Sequence, residues 1–512
     1  MEKNHSNYTV LKFLKSTKIY FVGRLVQSAS FFLLLIVLLR SMSEIDYGAY
    51  MTLLGLIEFL VPLTSFGLIE VIRRYIPDVS ENSTTKHLRE LIYKVLAIRI
   101  LFLIITSLLI YELWDYIVAL INYEKSHSSE KLLILWVLFS TLLFRFTAEI
   151  LECLFAQTYT QIARIVFILG QVISVVIFYY VYSEIQFIDI LKMASLFTTI
   201  SLILTFLFIL IVVSEHKTEN QEPIELSNIL TFSWHVTGSS LLQTFASDGF
   251  VRLVVANQLG LETAGVFGFL HQLTSVASRY LPSNFLINII RPMLVTRYAL
   301  SGDINVLRSS LGIMWKSNIL IITLYILCSY LLGDLFLTRI SDDKIQQAGV
   351  LLSTLFFLLY TTSQRQLLEM ILQIIERTKE LRNFSLILPV LPILVWLGTN
   401  FNLQGVVISL IVFSWIWNYI VLNFMASSLD FELIDIKHNM RLFSTLLILV
   451  VVVMLLQRLF SIYTATTLAL LLYIVAILYS KPITDSEYKL LDSVLKKNKS
   501  KSFRKLIRLC ST

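Results

Sequence analysis

Several charged side chains stand in stretches that are otherwise apolar, and these are the residues whose chemistry could do work. Arg24 lies in I-Y-F-V-G-R-L-V-Q-S and Arg279 in S-V-A-S-R-Y-L-P, neither with a carboxylate within four residues. Arg145 is followed by Glu149 and Glu152. Asp248 and Arg252 are spaced i,i+4, as are Arg365 and Glu369. Glu58 and Glu70 are further acidic residues in apolar surroundings. A guanidinium is a planar fork of N–H donors, which matches the acceptor oxygens of a diphosphate. Carboxylates can pair with arginines one helical turn away or hold a proton. Two readings attach to each set. The i,i+4 sets, and Arg145 with Glu149, are ion pairs that let a helix cross lipid and lock it to a neighbour, or they are cavity and coupling groups. Arg24 lies near a basic end and can snorkel to headgroups. It and Arg279 are nevertheless the better candidates for holding an anionic ligand, with Arg145 weaker. Glu58 and Glu70 can pair with Arg24 across a helix interface or carry a coupling proton.

The elements that position these charges are membrane spans. A hydrocarbon core about 30 Å thick needs roughly 20 apolar residues of helix. Such stretches recur near 17–40, 50–71, 91–114, 131–155, 161–182, 189–213, 228–255, 263–290, 311–333, 346–370, 384–398, 403–427, 442–458 and 462–480. The chain is 56% hydrophobic and 15% charged, with mean hydropathy +0.75. A soluble domain carries about 25% charge, so this composition belongs in lipid. Helices are required because unpaired backbone groups are costly there, and no alternation suited to a barrel is present. The fold class is therefore an all-α polytopic membrane protein of about fourteen transmembrane helices in two seven-helix halves. A charge at mid-membrane costs about 2.5–3.5 kcal/mol on insertion scales, so the buried charges should face protein or water.

Lys and Arg set the orientation. With the N-terminus cytoplasmic, one side collects Lys12 and Lys15, Arg73 and Arg74, Arg291 and Arg297, Arg377 and Lys379, and the basic tail. The opposite loops hold little beyond Lys125, Arg339 and Lys344. Both termini are thus expected inside. The parts are a cytoplasmic segment 1–16, an N-terminal half 17–213, an acidic inter-half loop 214–227, and a C-terminal half 228–458 with its main bundle at 228–427. A last helix, 462–480, and a basic tail, 481–512, follow. The net charge of +7 suits anionic headgroups, and its dispersal argues against nucleic acid. Residues 484–509 are a candidate surface helix with Leu490, Leu491, Val494 and Leu495 on one side. No secretory cleavage pattern opens the chain, and Cys153, Cys328 and Cys510 suggest no disulfide framework. There is no P-loop, no metal-spaced His/Cys cluster and no G-x-S-x-G, so neither an enzyme nor a cofactor is expected. His271 with Gln272 can line a polar cavity or be an ordinary hydrogen-bonded interior pair.

A repeat underlies the spans. S-E-I-D-Y-G-A-Y at 43–50 and G-L-E-T-A-G-V-F at 260–267 are both short polar turns in which an acidic residue precedes a glycine and an aromatic residue. Gly48 and Gly265 are 217 residues apart, and Arg73–Arg74 with Pro77 answers Arg291–Pro292 with Arg297. Parallel repeats of this kind are a standard transporter plan.

With these features, and with D-Y-G-A-Y…G-L-I-E-V-I-R-R-Y-I-P and A-G-V-F-G-F-L-H-Q-L, residues 8–480 resemble bacterial polysaccharide flippases of the O-antigen/teichuronic-acid exporter type. That family belongs to the superfamily of multidrug MATE exporters and the lipid II flippase. The resemblance implies a multi-pass protein of the bacterial inner membrane. It would carry a polyprenyl-diphosphate-linked oligosaccharide from the cytoplasmic to the outer leaflet by alternating access, through a cationic cavity between two bundles. Arg24 and Arg279 match positions where the lipid II flippase keeps cavity arginines, and Asp248 matches an acidic position common in the family. Partners would be the lipid-linked glycan, membrane lipids, and glycan polymerase and glycosyltransferases. Two other functions fit the same residues: a cation-coupled multidrug or metabolite antiporter, whose cavity would be dominated by carboxylates and aromatics, and a non-transporting scaffold for glycan-assembly enzymes.

Overall fold

The structure is a computed structural model that describes residues 2–82, 85–121, 123, 128–182, 184–214, 237–238, 241–284, 304–375, 377–429, 436–484 and 487–488, with side chains from Val22 onward. The acidic loop at 215–225, His235, Arg291, Arg297, Lys125 and the proposed surface helix beyond Tyr488 lie outside these residues. The described chain is helical almost throughout, and nine of its stretches are long and apolar enough to cross a membrane. It divides into two compact units, Met1–Phe269 and Leu270–Thr512.

In the first unit, α1 (Glu2–Ser41), α2 (Glu44–Ser65), α3 (Leu68–Asn82) and α4 (Thr85–Glu112) are followed by the short α5 (Trp114–Leu120). Then come α6 (Ser128–Cys153), α7 (Gln157–Tyr182), α8 (Phe187–Ser214) and α9 (Asp248–Leu259), while α10 (Leu261–Ser278) runs across the unit boundary. α2 begins where Ser43 caps it, its hydroxyl accepting the Asp46 amide at 3.1 Å. Ser247 caps α9 in the same way, through the Phe250 amide at 3.2 Å. Each cap satisfies an orphan N–H of the first turn.

α3 departs from the sequence reading, which left Arg73 and Arg74 in a loop. The chain passes through two left-handed residues, Phe66 (φ 44°) and Gly67 (φ 72°), and re-enters a helix. Leu68, Val71, Ile72, Ile76 and Val79 are buried along one face of it, and Glu70, Arg73 and Arg74 stand on the other. The period of 3.6 was present, but its polar face broke the apolar run that span reading follows.

Packing between helices of this unit relies on small and hydroxyl residues. Between α6 and α8 the hydroxyls of Ser140 and Thr198 meet at 2.9 Å, and two turns along those of Thr147 and Thr205 meet at 2.8 Å. All four residues are buried. Such residues allow close approach and bond across helices where lipid supplies no hydrophobic drive. The two repeat turns touch. A Cβ on Gly48 would fall 1.9 Å from the Leu261 carbonyl oxygen, and one on Gly265 3.2 Å from the Gly48 Cα. A Cβ on Gly249 would fall 2.4 Å from the Gly55 carbonyl oxygen, so α2 and α9 are also in backbone contact.

The second unit continues with α11 (Ile304–Ser341), α12 (Gly349–Ile374), α13 (Thr378–Ser385), α14 (Val390–Gly398), α15 (Asn402–Leu429), α16 (Ile436–Leu459) and α17 (Ile462–Ser480). α11 packs on α12, and α12 on α15, where the buried Asn418 amide donates to the Thr361 carbonyl at 2.9 Å. α17 is tied to α11 by Tyr473, whose hydroxyl donates to the Leu320 carbonyl at 2.7 Å. Beyond α17, Thr484 and Glu487 form a reciprocal cap, and Lys316 of α11 donates to both Glu487 oxygens at 2.9 and 2.8 Å. That ion pair is buried on both sides.

Two outcomes follow from this packing. Gly48→Ala should lower stability by about 1–3 kcal/mol, because its methyl meets backbone rather than a flexible side chain; thermal unfolding of purified protein reads this as a reduced Tm. Lys316→Met should cost about 3–5 kcal/mol by stranding the Glu487 carboxylate, and adding Glu487→Leu should recover most of that loss.

Candidate functional site

Many of the described charges of the first unit gather into two clusters that share α6. In one, α6 supplies Glu149 and Glu152, α3 supplies Glu70 and Arg73, α7 supplies Arg164 and α1 supplies Arg24. Arg73 Nε donates to Glu149 Oε1 at 2.7 Å, and its Nη1 to Glu70 Oε1 at 2.9 Å. Arg164 Nη1 stands 2.8 Å from Glu152 Oε1, a Coulomb contact rather than an aligned hydrogen bond. Gly23 lies against the Gln161 side chain, which sets α1 beside α7 and brings the half-buried Arg24 within electrostatic range of Glu152. Three guanidiniums from three helices thus surround two carboxylates on a fourth.

The second cluster joins α2, α6 and α9. Arg145 Nη2 donates to Glu58 Oε1 at 2.9 Å. Asp248 and Arg252 are both within electrostatic range of Glu58, and Arg252, buried, also faces Tyr47. Phe59, Phe245 and Phe250 pack beside these charges with ring centroids 5.7–6.4 Å apart. Close approach of α2 and α9 at Gly55 and Gly249 puts the carboxylate of one helix beside the guanidinium of the other.

Several candidates are therefore partnered differently from what spacing suggests. Arg145 turns to Glu58 across the helix interface, and Glu149 is taken by Arg73. Glu58 and Glu70 do find arginines, but these are Arg145 and Arg73. Asp248 sits at the first residue of α9, after a break at Ala246–Ser247, where its charge favours the helix N-terminus. Arg279 does not lie inside a helix. α10 ends at Ser278, and Arg279 stands half-buried in a turn closed by the Leu281 amide on the Ser278 carbonyl at 3.1 Å. Pro282 is the signal that could have placed this break, since the residue before a proline avoids helical geometry. α2 is followed by a break at Phe66–Gly67 and α10 by one at Arg279–Leu281.

In the second unit, Arg365 and Glu369 do pair on one face, Nε to Oε1 at 2.8 Å, and the guanidinium lies 4.7 Å from the Trp417 ring centroid. His271 and Gln272 are both buried. One buried arginine stands outside the sequence candidates. Arg99 of α4 is 1% exposed and 5.4 Å from the Phe146 ring, with Nε and Nη1 lacking hydrogen-bond partners. Its position in an apolar run was visible; the ring beneath it was not. Among the described residues, no group of three His, Cys, Asp or Glu has the arrangement of a metal site.

A family model described as polysaccharide biosynthesis protein matches residues 13–287, a little over half of the chain. The chain belongs to that family. The family match spans both charge clusters. Comparison with curated proteins gives no sequence match. Among solved structures, the lipid II flippase MurJ in an inward closed conformation is similar with TM-score 0.63 and 13% identity, over 90% of this chain and 98% of that one. An inward-facing multidrug resistance MATE family transporter of the MOP superfamily is similar with TM-score 0.58 and 12% identity, over 79% and 94%. The MATE multidrug transporter DinF-BH, in a ligand complex, gives TM-score 0.55 and 14% identity, over 81% and 95%. At such identities the likeness is one of fold. The family member is thus a multi-pass membrane protein, all-α and polytopic as its sequence implied, with a fold like that of these structures.

The inter-helix pairing has a direct test. In a double-mutant cycle, Glu58→Leu and Arg145→Met should be non-additive by about 0.5–3 kcal/mol in unfolding free energy, whereas Arg145→Met with Glu149→Leu should be close to additive.

Proposed function

We propose that this protein is a flippase for a polyprenyl-diphosphate-linked oligosaccharide, moving its headgroup from the cytoplasmic to the outer leaflet of the bacterial inner membrane by alternating access, with both termini cytoplasmic. The observation that carries the reading is the gathering of Arg24, Arg73 and Arg164 around Glu149 and Glu152, in a chain whose family is described by polysaccharide biosynthesis. Carboxylates hold these guanidiniums in place within lipid. A diphosphate presents more acceptor oxygens than a carboxylate and carries more charge, so it competes for the same forks. Entry of the headgroup then exchanges internal ion pairs for substrate contacts, and its departure restores them. Arg24 is the binding residue assigned to the first unit and Arg279 to the second, where the interrupted helix leaves backbone as well as side chain for polar contact. Arg145, held by Glu58, is reassigned to the coupling set with Asp248 and Arg252. No covalent bond changes. The glycan-assembling enzymes that make and consume the lipid-linked glycan are the partners this activity requires.

The second reading, a cation-coupled antiporter, draws on the Glu58–Arg145–Asp248–Arg252 cluster and its three phenylalanines, which suit a titrating site for cationic aromatic compounds. It predicts efflux of such compounds and no movement of the glycolipid.

In proteoliposomes given labelled polyprenyl-diphosphate oligosaccharide, wild-type protein should deliver label to the far leaflet. Arg279→Ala and Arg24→Ala should each reduce the rate per folded protein at least about tenfold, with Arg279→Lys retaining part of it, because charge persists without the planar fork. Wild-type turnover in Arg279→Ala would remove that residue from the site. No protein-dependent movement of the cell's own glycolipid would refute the function.

A further inference from the structure

Away from both charge clusters, a groove of about 250 Å³ opens on the first unit between α4 and α8. Its floor is Ile92, Ile209 and Val213, all buried, and its rim is Arg89, Tyr93 and Leu210, all exposed. Thr85, the first residue of α4, and Ser214, the last of α8, close one end, so the groove lies where two membrane-crossing helices leave the apolar layer. Arg89 is held along the rim by Tyr93. Its Nε donates to the tyrosine hydroxyl at 3.2 Å, and the guanidinium lies 5.3 Å from the ring centroid. The adjacent carboxylate, Glu90, is engaged by Lys94, and no carboxylate among the described residues pairs with Arg89. Lys86 adds a second exposed cation one turn away. A positive rim at the membrane border, an apolar floor and the positive end of α4 form a surface complementary to a phosphate with an acyl chain attached.

We propose that this groove binds one anionic phospholipid of the bilayer, its phosphate on Arg89 and the first turn of α4, and an acyl chain on Ile92, Ile209 and Val213. At about 250 Å³ the groove takes the phosphate and the first part of one chain, and the rest of the lipid stays in the bilayer. The apolar floor separates this ligand from free phosphate. Assigning the groove to the cytoplasmic leaflet rests on the orientation proposed above; the binding itself does not depend on transport.

The test is native mass spectrometry of the full-length protein in detergent with phosphatidylglycerol and phosphatidylcholine of matched chains. One phosphatidylglycerol should be retained in preference. Arg89→Gln should weaken that retention about fivefold, as expected for loss of one interfacial cation. Leu210→Trp, which fills the groove without touching the charge, should abolish it and serves if Arg89→Gln does not fold; Arg377→Gln should leave it unchanged. Equal retention of the two lipids, retention untouched by Leu210→Trp, or displacement by millimolar inorganic phosphate alone would overturn the proposal. Because lipid retention is read without translocation, its failure is distinct from failure of the flippase function.

Discussion

A guanidinium carried into a bilayer by an apolar helix needs a group that offsets its charge, and in the first unit Arg73, Arg145 and Arg164 each find a carboxylate on another helix, while Arg99 lies over the Phe146 ring. Moving a lone charge there costs several kcal/mol, so a helix that carries an arginine gains stability by packing against one that carries a carboxylate. Arg145 of α6 reaches Glu58 of α2, Arg73 of α3 reaches Glu149 of α6, and Arg164 of α7 reaches Glu152 of α6. α6 is therefore the common partner, and the hydroxyl ladder of Ser140 and Thr147 fixes it to α8. Ion pairing here is an assembly rule before it is a substrate-binding device.

Under the proposed function, the same pairs would be exchanged during transport. A pair locked in a dry core only fastens helices, whereas the side chains of Arg145 and Glu58 remain 40% and 43% exposed. Accessible pairs can be opened by a competing anion or by protonation of the carboxylate. By contrast, Lys316 and Glu487 are 8% and 7% exposed, so that pair acts as a fastening for the chain beyond α17. Accessibility, more than residue type, distinguishes the Arg145–Glu58 pair from the Lys316–Glu487 fastening.

Much of this arrangement could be read from the amino-acid order, because span length and the rarity of charge follow from the thickness and dielectric of lipid. The all-α polytopic class, the last helix at 462–480 and the i,i+4 pairing of Arg365 with Glu369 are of that kind. The close approach of Gly48 to Leu261 and Gly265 gives a steric reason for glycine in both short turns. Pairing across helices was not legible. Spacing along one helix offered Glu149 to Arg145, but tertiary packing supplied Glu58 instead. The interruptions at Ser247 and Arg279 were also missed, since hydropathy averages over them. Their local signals, a Ser-Asp cap and Pro282, are visible only when the chain is read for helix ends.

The central claim is that guanidiniums recognise the diphosphate of a lipid-linked glycan. Its most direct test is the affinity of purified protein for polyprenyl-diphosphate oligosaccharide compared with the same glycan on the same polyprenyl chain through an uncharged linker. The account predicts that the diphosphate lipid binds at least about tenfold more tightly, and that Arg24→Ala abolishes the difference. Equal affinity for the two lipids in the wild-type protein would contradict it.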